Sequence, residues 1–141
     1  MTEIVGFAVA PSRTWTRWPF RLAMTLAAML VFDQPVFAGE FLAGSYPALQ
    51  LHRENATYTG IAMLVAAGTA VLLRWPGHGP WWPMIACVGL FGMIAAQIIL
   101  GFARLLTIHV PLGVLIIVLT IGLTTWAWRP RRPATRPGEL S

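Results

Sequence analysis

The chain has 141 residues, 57% of them hydrophobic and 11% charged, with a formal charge of +5 at pH 7. A soluble domain carries roughly a quarter charged residues, so the water-facing surface of a soluble enzyme is missing here. The basic excess does not interleave with aromatics along one face, which excludes a nucleic-acid surface as its explanation.

Residues 1–18 read as a short cytoplasmic lead, followed by a first apolar block that predicts a helix over 20–43. The basic start, the apolar run and Val36-Phe37-Ala38 have the form of a signal peptide with a cleavage site. Asp33, Gln34 and Pro35 interrupt that form just before the cut, so the segment is read as a retained helix. Polar groups at this depth usually face a bundle interior. Asp33 is a candidate proton or quinol contact, or else Pro35 breaks the helix there and admits water. Ser45-Tyr46-Pro47 marks a tight turn into a second helix over 47–74, which protrudes beyond its lipid-facing stretch by one or two turns.

That helix stops at Arg74-Trp75-Pro76-Gly77, and a Gly/Pro breaker loop runs on through Pro80 and Pro83, carrying a solvated His78. The third helix is expected over 83–104, with the single Cys87 as a small buried hydrophobe. The fourth is expected over 108–128, with Pro111 in its first turns, and the Pro-rich basic tail 129–141 reads as disordered and cytoplasmic. Asn55-Ala56-Thr57 matches a glycosylation sequon but abuts a membrane helix and carries no weight.

Each block is close to the ~20 residues that cross a bilayer, and none alternates with the period of a barrel strand. The expected fold is all-α: an integral membrane four-helix bundle, up-down-up-down, filling 19–128 as one domain. All ten basic residues are arginines. Arg13, Arg17, Arg21, Arg74, Arg129, Arg131, Arg132 and Arg136 fall on one side and only Arg53 and Arg104 on the other. All seven tryptophans flank the side with eight, so both termini and the loop between helices 2 and 3 are expected inside. The expected setting is a bacterial inner (plasma) membrane, with anionic lipid as one contact of the basic face.

A short internal repeat runs through the four segments. Gln34-x-x-x-Ala38 on helix 1 pairs with Gln97-x-x-x-Gly101 on helix 3, and His52-x-x-x-Ala56 on helix 2 pairs with His109-x-x-x-Gly113 on helix 4. The glutamines are 63 apart (97 − 34) and the histidines 57 (109 − 52), a mismatch that fits a longer outer link between helices 1 and 2. Two hairpins related by a pseudo-twofold axis along the membrane normal would produce such a pattern.

Helices 2 and 4 of such a bundle are parallel and diagonal, so His52 and His109, each in the first turns of its helix, are expected to face one another across the axis. That arrangement suits bis-His ligation of one haem. Ala56 and Gly113, one turn deeper on the same faces, would leave room for a porphyrin edge. Arg53 and Arg104 are candidates to hold its propionates, with lipid snorkelling as the plain alternative. Gln34 and Gln97 either bond between helices or lie against the cofactor.

His52-Arg53 with Ala56, and Gln97-Ile98-Ile99-Leu100-Gly101 leading to His109, resemble the corresponding elements of haem A synthase. Those enzymes comprise two four-helix halves with a His pair in each, and this chain resembles one half, from about residue 34 to 126, or a related family of small single four-helix membrane haem proteins that shares the same general pattern. The resemblance implies that His52 and His109 are haem ligands. The substrate-oxidising half has a Glu three residues before its first His, where this chain has Leu49, so the likeness is to the half that holds haem b.

The function expected from these residues is that of a membrane b-type cytochrome. It would carry one haem b and exchange single electrons with quinol or an extracytoplasmic redox protein. The alternative is a cofactor-free anchor, accessory subunit or assembly factor of a larger membrane complex. A catalyst is the weakest of the three readings, because no acid/base pair, nucleophile triad or phosphate loop is written in the sequence.

Overall fold

A computed structural model describes residues 14–130 of the chain. Most of the expected lead (1–13) and tail (131–141) therefore lies outside the described residues. A 3-10 turn, Thr14–Arg17, runs directly into α1, Trp18–Leu42. It is followed by α2, Tyr46–Arg74; α3, Trp82–Phe102; and α4, Leu106–Trp128. No strand occurs among the described residues. Every helix bound lies within two residues of the expected one.

The shortest helix, α3, has 21 residues and the longest, α2, has 29. At 1.5 Å per residue these are about 31 and 44 Å, enough to cross the hydrocarbon core. All four helices are long and apolar enough to span a membrane, so the fold is a multi-pass membrane bundle. Pro19, Pro47 and Pro83 sit in the first two positions of α1, α2 and α3, where an amide N–H would have had no helical partner. As expected for a helix over 20–43, α1 continues through Pro35, so the alternative of a break there does not hold.

Each helix packs on its two neighbours in the ring α1–α2–α3–α4, so α1 and α3, and α2 and α4, stand on the diagonals. Buried positions recur every three or four residues: Phe20, Met24, Ala27 and Val31 on α1, and Cys87, Leu90 and Ile94 on α3. On α2 the buried set is largely alanine (Ala62, Ala66, Ala67, Ala70), and small side chains let backbones approach where lipid offers no hydrophobic drive to associate. Leu26, Phe32, Val65, Ile99 and Val118 face outward, as suits lipid. Cys87 is fully buried, with its sulfur 3.8 Å from that of Met24, as a small core side chain.

The two hairpin turns are the same structure written twice. Residues 43–45 link α1 to α2 and 103–105 link α3 to α4, three residues each. In the first, Ala43 N–H donates to Gly39 O, Gly44 N–H to Phe41 O and Ser45 N–H to Glu40 O. In the second, Ala103 donates to Ile99 O, Arg104 to Gly101 O and Leu105 to Leu100 O, each partner shifted by 60 residues (104 − 44). The expected longer link between helices 1 and 2 is thus absent. The six-residue mismatch is divided: three extra residues lie between Gln34 and the turn, and three between the turn and His52. Each arm of the α1–α2 hairpin is therefore about 4.5 Å taller than its counterpart.

The repeated turn needs a left-handed residue at its centre. Gly44 supplies it at φ 100°, whereas Arg104 occupies the same place at φ 59°. A side chain in that region costs roughly 1–2 kcal/mol, which glycine's greater freedom in the unfolded chain partly offsets. Arg104→Gly is expected to stabilise the bundle by up to about 1 kcal/mol. An unchanged or lowered unfolding temperature in detergent would contradict that.

Candidate functional site

The site is built where the two hairpins meet. His52 lies two turns into α2 and His109 in the first turn of α4, yet the taller first hairpin brings them level. Their ring centroids are 6.2 Å apart, with the planes inclined by 54°. Both side chains are partly buried. The pairing across the diagonal expected from the sequence is present in the structure.

Each imidazole is anchored in the same way, by the main chain of the preceding helix. His52 Nδ1 lies 3.0 Å from Gln34 O, and His109 Nδ1 lies 2.9 Å from Gln97 O. A carbonyl oxygen only accepts, so each Nδ1 must carry the proton and donate it. In a neutral ring that leaves Nε2 with its lone pair, the tautomer a metal-ligating histidine adopts when its other nitrogen is held. The repeat seen in the sequence as Gln and His is thus a repeated carbonyl–imidazole contact.

The carboxamides of the two glutamines differ. Gln34 Nε2 donates to His52 O at 3.3 Å, an interhelical bond. Gln97 instead lies over Gly113, where a Cβ would stand 2.8 Å from Nε2, and its Oε1 is buried without a hydrogen-bond partner. Gly113 thus makes room for Gln97. Gly60, one turn below Ala56, faces Phe91 and Ile94 on α3 at ordinary contact distance, while Ala56 itself is partly buried. Gly101, assigned no role from the sequence, packs on the site: a Cβ there would sit 3.1 Å from His109 Cε1. Its place four residues after Gln97 was the available signal.

Arg53 and Arg104 are exposed at this end. The Arg53 guanidinium stacks 5.4 Å from the centre of the Phe102 ring, tying the start of α2 to the end of α3. Asp33, adjacent in sequence to Gln34, is partly buried. Asn55 is buried on α2 and donates to Leu30 O at 2.8 Å, fixing α2 against α1 just below the histidines. His78 does not join the pair; it is exposed in the opposite loop, where its N–H donates to Arg74 O.

Among the described residues, no three of His, Cys, Asp and Glu come together as a metal-binding group. A metal held between His52 and His109 therefore takes two protein ligands and must bring its others with it, unlike a tetrahedral zinc site. The chain matches no protein-family model, no curated protein and no solved structure.

Proposed function

We propose that this protein is a membrane b-type cytochrome, similar to the haem b-holding half of haem A synthase. One haem b per chain would lie between His52 and His109, near the outer face. One observation carries the reading: two imidazoles on diagonal helices, each held at Nδ1 by a carbonyl, with ring centroids 6.2 Å apart. Two metal–nitrogen bonds of about 2.0 Å, plus about 1.1 Å from each Nε2 to its ring centre, give about 6.2 Å between opposed rings sharing one metal.

The residues around the pair have matching roles. The Gln34 and Gln97 carbonyls fix ring direction and tautomer, and donation to them raises the basicity of Nε2. Arg53 and Arg104 would pair with the two propionates and Ala56 would keep its helix face low, while the space at Gly113 is taken by Gln97. Haem held by His52 and His109 would supply one-electron transfer. Quinol in the bilayer or a redox protein on the outer side would be its exchange partner. With Arg17, Arg21, Arg74 and Arg129 at the tryptophan end, and only Arg53 and Arg104 at the other among the described residues, the proposed orientation puts the tryptophan end in the cytoplasm of a bacterial inner membrane and the histidine end outside.

The test is a reduced-minus-oxidised spectrum of protein purified from haem-replete cells. A haem b difference spectrum at one haem per chain is expected. Its absence, in protein that is folded and helical, would leave the alternative of a cofactor-free anchor or accessory subunit. A finer prediction concerns Gly101. Gly101→Val pushes a side chain against His109 Cε1 and turns the ring from its carbonyl, so haem affinity should fall about 10–100-fold, as for other losses of ligand support. Equal affinity in haem titrations of both proteins would count against the anchored ring.

A further inference from the structure

The opposite end of the bundle holds a second site-like feature, a half-open cleft of about 280 Å³ between the helix ends. Its cationic wall is Arg17 and Arg129, beside the buried Thr16, and its partly exposed apolar floor includes Pro80 and Trp126. Among the described residues, no acid lines it. The described acids, Asp33, Glu40 and Glu54, belong to the histidine end, so the described charged side chains at this end are all arginines: Arg17, Arg21, Arg74 and Arg129.

The walls are fixed from within. The Arg21 guanidinium lies 5.6 Å from the Trp18 ring centre and 5.1 Å from that of Trp128, and its Nε donates to Ala127 O at 3.0 Å. Trp128 Nε1 in turn donates to Thr25 Oγ1 at 3.1 Å. These contacts lock α1 to α4 beside the cleft. Trp15, Trp18, Trp75 and Trp81 are exposed around the same end, the level at which amphipathic rings meet lipid headgroups.

We propose that this cleft binds the phosphate of an anionic phospholipid. The guanidiniums of Arg17 and Arg129 take the phosphodiester, and the first acyl carbons lie on the floor at Pro80 and Trp126. Guanidinium matches phosphate by its forked donors and its fixed charge, and a basic pocket between helices at headgroup depth is a general mode of acidic-lipid recognition. The apolar floor is what separates a lipid from a free phosphate ion, since inorganic phosphate would have no use for it. The proposal is independent of what the histidine pair binds.

The experiment is thermal unfolding of the full chain in a neutral detergent. The probes are dioleoyl phosphatidylglycerol, dioleoyl phosphatidylcholine or sodium phosphate, added in turn. Phosphatidylglycerol is expected to raise the unfolding temperature of the wild type, and neither other addition should do so. R17Q and R129Q should each need about fivefold more phosphatidylglycerol for the same shift, and the double variant about 25-fold, from roughly 1 kcal/mol per arginine near an anionic surface. R74Q removes a charge from the same end outside the cleft and should respond like the wild type. Arg129 is exposed just past α4, so R129Q alone carries the test if the double variant does not fold. An equal shift with phosphatidylcholine or with sodium phosphate would overturn the proposal. So would a loss in R74Q as large as that in R129Q.

Discussion

In His109→Ala the haem b spectrum is expected to be lost from the purified protein, and likewise in His52→Ala. Each substitution removes one of the two protein ligands proposed for the metal, and among the described residues no third His, Cys, Asp or Glu is grouped near enough to replace it. The loss in affinity should be at least 100-fold, beyond the range for disturbing a ligand's support alone. The fold should survive. The partners left behind are the Gln34 and Gln97 carbonyls, which lie inside α1 and α3 and accept there from their own helices. Neither becomes an orphan, so the cost in stability is about 1 kcal/mol, the net worth of one hydrogen bond.

That separation of cofactor from fold makes the test decisive. Helical circular dichroism and unfolding temperature of the haem-free proteins should remain close to wild type while the Soret band disappears. Added imidazole should restore part of the band in either alanine variant, because it can occupy the space the ring vacated. Spectra unchanged by both substitutions would place any bound haem elsewhere and remove the functional meaning of the pair. Arg104→Gly serves as a contrast within the same site. It should raise the stability of the haem-free protein by relieving the left-handed arginine, yet weaken haem retention if the guanidinium holds a propionate.

The helices were legible because lipid imposes a length and an apolar composition on any span, and α2 and α4 emerge within two residues of the expected bounds. The His pair was legible for a related reason: parallel diagonal helices that enter from the same face place their early residues at one depth. The anchors of those rings were not. A main-chain carbonyl is present at every residue, so nothing in the identities of Gln34 and Gln97 distinguishes a side-chain bond from the carbonyl contact their backbones make. The division of the six extra residues was hidden too. Sequence spacing reports a total between Gln and His but not whether it falls in a loop or lengthens two helices. Gly113 carried the opposite difficulty, since a missing side chain looks the same whether it clears space for a cofactor or for Gln97.

Gly77→Ala should be the most destabilising single-methyl change among the described glycines. The loop after α2 closes the helix by giving each of its last four carbonyls a donor. Trp75 N–H reaches Val71 O at 2.7 Å, Gly77 reaches Leu72 O at 3.0 Å, Gly79 reaches Leu73 O at 2.6 Å and His78 reaches Arg74 O at 3.0 Å. Pro76 has no N–H to offer, so no spare donor is at hand. A Cβ on Gly77 would stand 2.6 Å from Leu73 O, 2.7 Å from Leu72 O and 2.8 Å from Thr16 Oγ1. Two of these are backbone atoms that cannot swing aside, so the loop itself must move and release at least two carbonyls. Each buried acceptor left unpaired costs about 1–3 kcal/mol, giving an expected loss of about 3 kcal/mol or more. Gly68 is the matched control. It lies inside α2 with nothing within 4 Å of a Cβ, so Gly68→Ala should stabilise the helix by about 0.5–1 kcal/mol. Equilibrium unfolding of the two variants in the same detergent should therefore diverge in sign. Were Gly77→Ala as stable as Gly68→Ala, the carbonyl-closing loop would not be what ends α2.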